Sequence, residues 1–483
     1  MAGRSLRELT PLVSGLHRLG AELRYRRVTR ELSQIQLGRL IHHSGALVSK
    51  VEKAERRPGV EFCRLADEVL ETSGVLTRLW HAAAPPPAPA SASTPDIAVA
   101  ATDDIAEVSL RWADDVSGVI EVVCRMWRSE MDRRSLLVSS AWASTGFVGP
   151  LHAWLACRPD VVTGVPAGRG GRLVGQAEVD ALWAMGVSFS DADNLLGGAY
   201  ARSTLVHYLD ATVRPLLLHG DCTERVGREV MAAAARLCDI CAFMCFDSDR
   251  HGLAQRYFVQ ALRLAQASGD RALAAHILGD MSVHAHHRGD ADQALALATA
   301  GYEAALRGGS PADAARCAAL QGRAHALRGD AAAAAKSRLL AEQALDVEAS
   351  DVPAWIRFFT PVALTFQAQY TAADLGQCRE VQRLAPAVID TIDGRQRRKV
   401  LSTAMLAHSY LPGPGAGTDA DVDHACELLI DVLPALPSLT SARVHERVDK
   451  VRRGLIPYRD RASVRQFEGL YEHMLVTAAA GSS

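Results

Sequence analysis

The side chains best suited to chemistry in this sequence are basic, and they are bunched. Lys50, Lys53, Arg56 and Arg57 follow one another within a single short stretch. Ammonium and guanidinium groups in such a row donate to phosphate oxygens, and either can donate to a guanine edge. From Arg18 to Arg57 ten Lys/Arg stand against four Asp/Glu, a local balance of +6. The first 80 residues hold 14 basic and 9 acidic side chains, or +5, so a chain of net charge −2 carries −7 elsewhere. A basic module on a mildly acidic body is the charge distribution of a domain that meets phosphates.

Two short apolar-periodic segments position these groups, Ile35–Ile41 and Ala46–Val51. Leu37, Ile41, Val48 and Val51 fall at spacings that put them on the inner faces of two helices. Ser33 and Ser44 are the N-caps expected for them. Two such helices joined by a three- to four-residue turn make a helix-turn-helix, whose second helix enters the major groove.

The run SQIQLGRLIHHSGALVSKVEKAERRP, Ser33 to Pro58, resembles the Xre/Cro-type helix-turn-helix without gaps. The resemblance spans about 60 residues, from Leu16 to roughly Leu76, and departs from the pattern at three places. The turn glycine is His42, the apolar residue after it is His43, and the glycine after the recognition helix is Ala54. His tolerates a left-handed backbone better than most residues, so the turn is expected to survive. The resemblance implies that Ser44, Gly45, Ala46, Leu47, Ser49 and Lys50 lie at or near base edges. It implies that Gln34, Lys53, Arg56 and Arg57 lie near phosphates. Lys50 would reach guanine O6/N7 and the Ala46 methyl a thymine methyl. Leu47 is equally a core residue, and Glu52 reads as half of an internal ion pair.

At 483 residues the chain is long enough for about three structural units. Hydrophobic residues make up 48% and aromatics 5%, with much Ala, Leu and Arg, which favours packed helices and an all-α fold. No apolar run of membrane-spanning length and no signal peptide is read, so a soluble cytoplasmic protein with no membrane partner is expected. Neither a GxSxG, an HExxH, a Walker pair nor a deaminase signature is found, so no enzyme, cofactor or metal is assigned. Cys238, Cys241 and Cys245 share one helix face. A metal or redox site is conceivable there, but buried core thiols are the commoner outcome. Gly164–Gly175 is glycine-rich yet lacks the Lys-Ser/Thr end of a P-loop, and reads as a loop.

Taken in order, residues 1–81 are expected to form a five-helix DNA-binding domain and residues 82–96, with five prolines, a tether. Residues 97–225 read as a mainly helical intermediate region, with a strand near Leu136–Val138. Residues 226–483 repeat. HGLAQRYFVQALRLAQASGD, DADQALALATAGYEAALRGG and DAAAAAKSRLLAEQALDVEA start at His251, Asp290 and Asp330. Small residues recur at Ala254, Ala294 and Ala334, then at Ala261, Gly301 and Ala341, with Asp249, Gly289 and Gly329 in the preceding turns. This is the logic of a tetratricopeptide-like α-solenoid with a 40-residue period, closed by capping helices at Ser441–Leu455 and Ala462–Thr477.

Together with IHHSGALVSKVEKAERRP, the segments GLAQRYFVQALRLA and SARVHERVDKVRRGL resemble actinobacterial Xre-type regulators with a tetratricopeptide-like C-terminal body. That resemblance implies a homodimer on double-stranded DNA that controls development or secondary metabolism. It also implies a concave groove for a peptide or small-molecule effector. Groove candidates are His276, Asp280, His284, Arg316, Arg323, Arg357 and Gln367, and the arginines suit an anionic group. The tract His284-Ala-His286-His287 reads as solvated polar surface. The alternative is an interaction scaffold whose helical head does not touch DNA.

Overall fold

The computed structural model describes residues 15–72, 74–82, 109–130, 142–156, 172–347, 352–391, 394–413 and 420–480. The fold is all-α. Its β-structure among these residues is a two-residue parallel pairing of β1 (Arg172–Leu173) with β2 (Gly220–Asp221). None of the described helices is long and apolar enough to cross a membrane. The expected strand near Leu136–Val138, most of the proline tract and most of Gly164–Gly175 lie outside the described residues.

The helices run α1 (Gly15–Thr29), α2 (Gln34–Leu40), α3 (Gly45–Glu52), α4 (Val60–Leu70) and α5 (Val75–Ala82). Then come α6 (Val116–Glu130), α7 (Val148–Ala156), α8 (Gln176–Leu196), α9 (Gly198–Tyr208) and α10 (Arg214–His219). The paired helices follow: α11 (Glu224–Asp247), α12 (His251–Ser268), α13 (Arg271–His287), α14 (Ala291–Gly308), α15 (Pro311–Leu327), α16 (Ala331–Leu345), α17 (Pro361–Asp374) and α18 (Cys378–Ile389). The chain ends in α19 (Gln396–Ser409), α20 (Val422–Val432), α21 (Ala442–Gly454) and α22 (Ala462–Ala480).

These helices gather into two compact units. One joins residues 1–94 to residues 396–483, and the other holds residues 95–395. Periodicity groups residues 396–483 with the repeats, whereas they pack with the head. The reason is chemical. Arg452 of α21 is 3% exposed and bonds both carboxylate oxygens of Glu22 on α1, at 2.9 and 3.3 Å, and both of Glu468 on α22. Its guanidinium lies 3.5 Å from the ring centroid of Tyr25, whose hydroxyl donates to Glu468 at 2.7 Å. A charge cluster removed from water holds only when every member is paired, so the first helix and the last two form one body.

The second unit is a stack of antiparallel helix pairs, with α11, α13, α15 and α17 forming one layer and α12, α14, α16 and α18 the other. Local chemistry sets its period. Asp270, Asp290 and Asp330 cap α13, α14 and α16 by accepting from the amides of Leu273, Gln293 and Ala333. Asp249, Gly289 and Gly329 take left-handed φ of 60°, 78° and 78° in the turns. Ala254, Ala294, Ala334, Ala261, Gly301 and Ala341 are all buried where helices cross. A Cβ on Gly301 would meet Cys317 Sγ at 2.8 Å, so any larger residue there would have to displace the Cys317 side chain.

The intermediate region proves to be the cover of this stack. Gln255 bonds the backbone of Ala143 in both directions, Gln260 donates to Ser109 O at 2.8 Å, and Arg263 donates to Ala113 O at 2.6 Å. Irregular backbone needs such partners when it is buried. That is why α12 hides polar side chains that look solvent-facing in sequence.

Candidate nucleic-acid interface

α2 and α3 are joined by residues 41–44. Ser33 and Gln36 form a reciprocal capping box at the start of α2, and Ser44 Oγ accepts from Leu47 N at 3.1 Å. Leu37, Ile41 and Val48 are 0% exposed and Val51 1%, so one face of the pair is core as its spacing required. The bend is made by His42 at φ 58°, and α3 ends into Ala54 at φ 56°. These are the two positions where the motif has glycine. His43 stands at the motif's apolar position and packs its ring against Phe62 in a tilted arrangement, 5.3 Å between centroids.

Close backbone approach fixes the angle between α2 and α3. A Cβ on Gly38 would meet Gly45 N and His43 O at 2.8 Å. One on Gly20 would meet Val51 O at 2.5 Å, so α1 lies directly on α3. Below α3, Glu52 is buried and held by Arg27 at 2.5 and 3.1 Å, with Gln34 Nε2 donating to it at 2.7 Å. Glu52 is therefore the internal ion pair that the sequence reading assigned to it.

Ser44, Ala46, Lys50, Lys53 and Arg56 are exposed, and Ala46, Lys50 and Lys53 share one helical face at i, i+4 and i+7. Gly45, Leu47 and Ser49 are half-buried beside them. Gln34 and Arg57 are engaged elsewhere. Gln34 supports Glu52, while Arg57 donates to Trp80 O at 3.2 Å and lies over the Trp80 ring at 4.8 Å, tying the segment after α3 to α5. Arg39 and the apolar Ile35 and Leu40, the latter two 61% and 51% exposed, also lie open on α2. Motif spacing does not mark these residues, because their exposure depends on how α2 is rotated.

Left-handed alanine is strained by about 1–2 kcal/mol, and glycine gives back part of that in unfolded-state entropy. Ala54→Gly should therefore stabilise the chain by about 1 kcal/mol, read as a higher midpoint in thermal or urea melts.

The groove candidates other than Arg357 separate into distinct clusters, buried except for the half-buried Gln367. His276, Asp280 and Arg316 come together with Asp239, Arg236 and Asp313. Arg316 pairs with Asp280 and donates to His276 O at 3.0 Å; His276 Nε2 lies 3.5 Å from Asp280 Oδ2, and Nδ1 3.4 Å from Asp313 Oδ1. Burial and the Asp280 charge push Asp239 up to about 8 despite Arg236 and Arg316. Burial likewise raises Asp313 to about 7 and drives His276 well below its usual range. Donor atoms of Asp239, His276 and Asp280 lie within 4.8 Å of one another, a set able to hold a divalent ion. Guanidiniums already pair with both carboxylates, so the positive charge such an ion would bring is in place.

Arg323 and Gln367 meet around His286. Arg323 Nη1 donates to Gln367 at 3.1 Å, its Nη2 lies 2.9 Å from His286 Nδ1, and His286 Nε2 is 2.8 Å from Asp374. Burial and Arg323 pull His286 down to about 4. His284 belongs elsewhere, stacked on His251 with 3.1 Å between ring nitrogens and against Phe246 and Trp142. The solvated reading of the histidine tract is thus corrected, since His284 is 0% and His286 9% exposed. Their helix α13 packs against α11, α12, α14 and α15, so it has little solvent face. Arg357 lies outside the helices, exposed, donating to Val352 O at 3.0 Å. Cys238, Cys241 and Cys245 are all 0% exposed, and burial raises the thiols of Cys238 and Cys241.

The chain matches no protein-family model and no curated protein. Geometry and chemistry alone support the reading that follows.

Proposed function

We propose that this protein is a sequence-specific transcription regulator that binds duplex DNA through an Xre/Cro-type helix-turn-helix. Its tetratricopeptide-like body would dimerise and respond to an effector or partner. One observation carries the reading. His42 and Ala54 bracket α3 in left-handed conformations at the motif's two glycine positions, and the outward face between them presents Ala46, Lys50 and Lys53. Left-handed residues also end helices at Glu31, Glu71 and Asp249, so what favours the motif is the coincidence of both bends with its glycine positions, on either side of a basic, outward-facing helix.

On this reading α3 lies in the major groove. Lys50 reads a base edge, and Lys53 and Arg56 sit on phosphates. Gly45 offers no side chain, so part of the specificity comes from DNA shape. A single head reads only a few base pairs, which calls for two heads on half-sites about one helical turn apart and hence a homodimer. The reading places the protein in the cytoplasm and assigns it no reaction.

Selecting bound sites from a random duplex pool with the full-length protein tests the reading. A consensus with a two-fold axis should emerge, with affinity falling steeply as salt rises. Lys50→Ala should then cost about 1–3 kcal/mol and relax one base position in each half-site. Lys53→Ala should weaken all sites alike and reduce the salt slope by about one per head. Absence of any enriched sequence would instead favour an interaction scaffold.

A further inference from the structure

Beside the head, Arg18 has a buried guanidinium nitrogen with no hydrogen-bond partner. Between α1 and the C-terminal pair α21 and α22 lies a cavity of about 130 Å³. Its walls are mainly apolar, built from Ala21, Val28, Ile456, Tyr471 and Leu475. Arg18 projects into this lining, and its Nε is buried without a hydrogen-bond partner. No ion pair to Arg18 occurs among the described residues, and burial lowers its pKa. An unsatisfied buried guanidinium N–H keeps its desolvation penalty, which a ligand oxygen would remove.

The charge around the cavity has a sign. Arg18, Arg24, Arg452 and Arg453 line it against Glu22 and Asp449, four cations to two carboxylates. Arg452 is consumed by Glu22 and Glu468, which leaves the excess on the Arg18 side. We propose that this cavity is the binding site of a small monocarboxylate with an apolar body, its carboxylate on Arg18 and its hydrocarbon against Tyr471 and Leu475. A cavity of this size takes about one six-membered ring or a short acyl chain. Two resident carboxylates and a mainly apolar wall exclude a phosphate dianion.

The site's position makes it regulatory, and that part rests on the DNA-binding reading above. α1 carries the cavity on one side and touches the carbonyls of Val51 and Glu52 through Gly20. A ligand wedged against α1 therefore acts on the helix that seats α3. A ligand shifts such an equilibrium only by its differential affinity for the two arrangements.

The test uses full-length protein, with benzoate, phenylacetate and hexanoate as probes and benzyl alcohol and hexanol as neutral counterparts. Calorimetry should show saturable binding of at least one acid below about 10 mM, with the matching alcohol about tenfold weaker or worse. Arg18→Gln should weaken the acid by at least about tenfold, and Leu475→Trp should fill the cavity and abolish binding. Because the tryptophan could impair folding, Arg18→Gln, which leaves the Arg452 network intact, serves as the deciding variant. Saturable binding by none of the acids, equal binding of the alcohols, or unchanged binding in Arg18→Gln would each overturn the site. Affinity for the selected DNA should change severalfold with the bound acid. If acid binds in an Arg18-dependent way but no DNA sequence is enriched, the site stands and the DNA-binding reading falls. If DNA binds and acid does not, the reverse holds.

Discussion

Arg452→Ala should be the most damaging single substitution in the unit that contains the head. It leaves Glu22, 2% exposed, as a buried carboxylate with only Arg26 beside it, and removes the cation shared by Tyr25, Tyr471 and Glu468. Breaking a buried pair from one side costs about 3–5 kcal/mol, because the surviving charge keeps its desolvation penalty. The expected result in urea or thermal melts is an early transition for this unit, with Glu22→Gln recovering part of the loss in the double variant. pH gives an independent check. Burial alone would raise Glu22, but Arg452 and Arg26 outweigh it and hold the carboxyl down at about 2. A depressed folded pKa contributes stability above the unfolded value near 4.5 that is lost as pH falls toward 2. Arg452→Ala should therefore be less harmful at pH 4 than at pH 7. Equal damage at both pH values would mean that packing, not charge, is what Arg452 supplies.

Asp239→Asn should do the opposite and stabilise the helical stack at alkaline pH. Asp239 is 0% exposed and raised to about 8, and Asp313 is raised to about 7. A carboxyl with a raised folded pKa favours the fold when protonated. Its contribution is complete below the unfolded value near 3.8 and is lost as pH climbs through the folded one. Below about pH 6.5 the buried neutral His276 and His286 act in the opposite sense, so wild-type stability should decline between about pH 6.5 and pH 8, by up to about 1.4 kcal/mol per pH unit for each such group. Asparagine is neutral and nearly isosteric, so the variant should match wild type near pH 4 and exceed it by a growing margin up to pH 8. Arg236, 12% exposed and three residues before Asp239 on the same helix, can turn to solvent when its partner is neutral. Melting curves at the two pH values decide the matter, and a wild-type profile that is flat across this window would count against it.

The histidines and arginines of the stack show where sequence reasoning stops. His276, Arg316 and Arg323 have the look of groove residues, because polar side chains repeated on first helices usually face outward. The structure buries them instead, each against a partner roughly 40 residues away, as Arg316 is from His276 and Arg323 from His286. Partners one repeat apart cannot be found by periodicity, which registers only that a position is polar. Gln255, Gln260 and Arg263 belong to the same class, since their partners are backbone carbonyls in irregular segments with no pattern of their own.

What the sequence determined by itself was local. The caps at Ser33 and Ser44 and the bends at His42, Gly289 and Gly329 follow from contacts within a few residues of chain, while the core face Leu37–Ile41–Val48–Val51 and the 40-residue spacing of small residues follow from residue type and period. Such chemistry survives removal from its context, so spacing and residue type suffice to read it. The tertiary structure alone decided which buried charge meets which. Glu22 finds Arg452 across 430 positions, and that pairing draws α21 and α22 onto the first helix rather than onto the end of the repeats. The physical reason is that a desolvated charge selects its partner by net free energy in three dimensions, and an arginine in the sequence gives no sign of whether water or a distant glutamate will meet it.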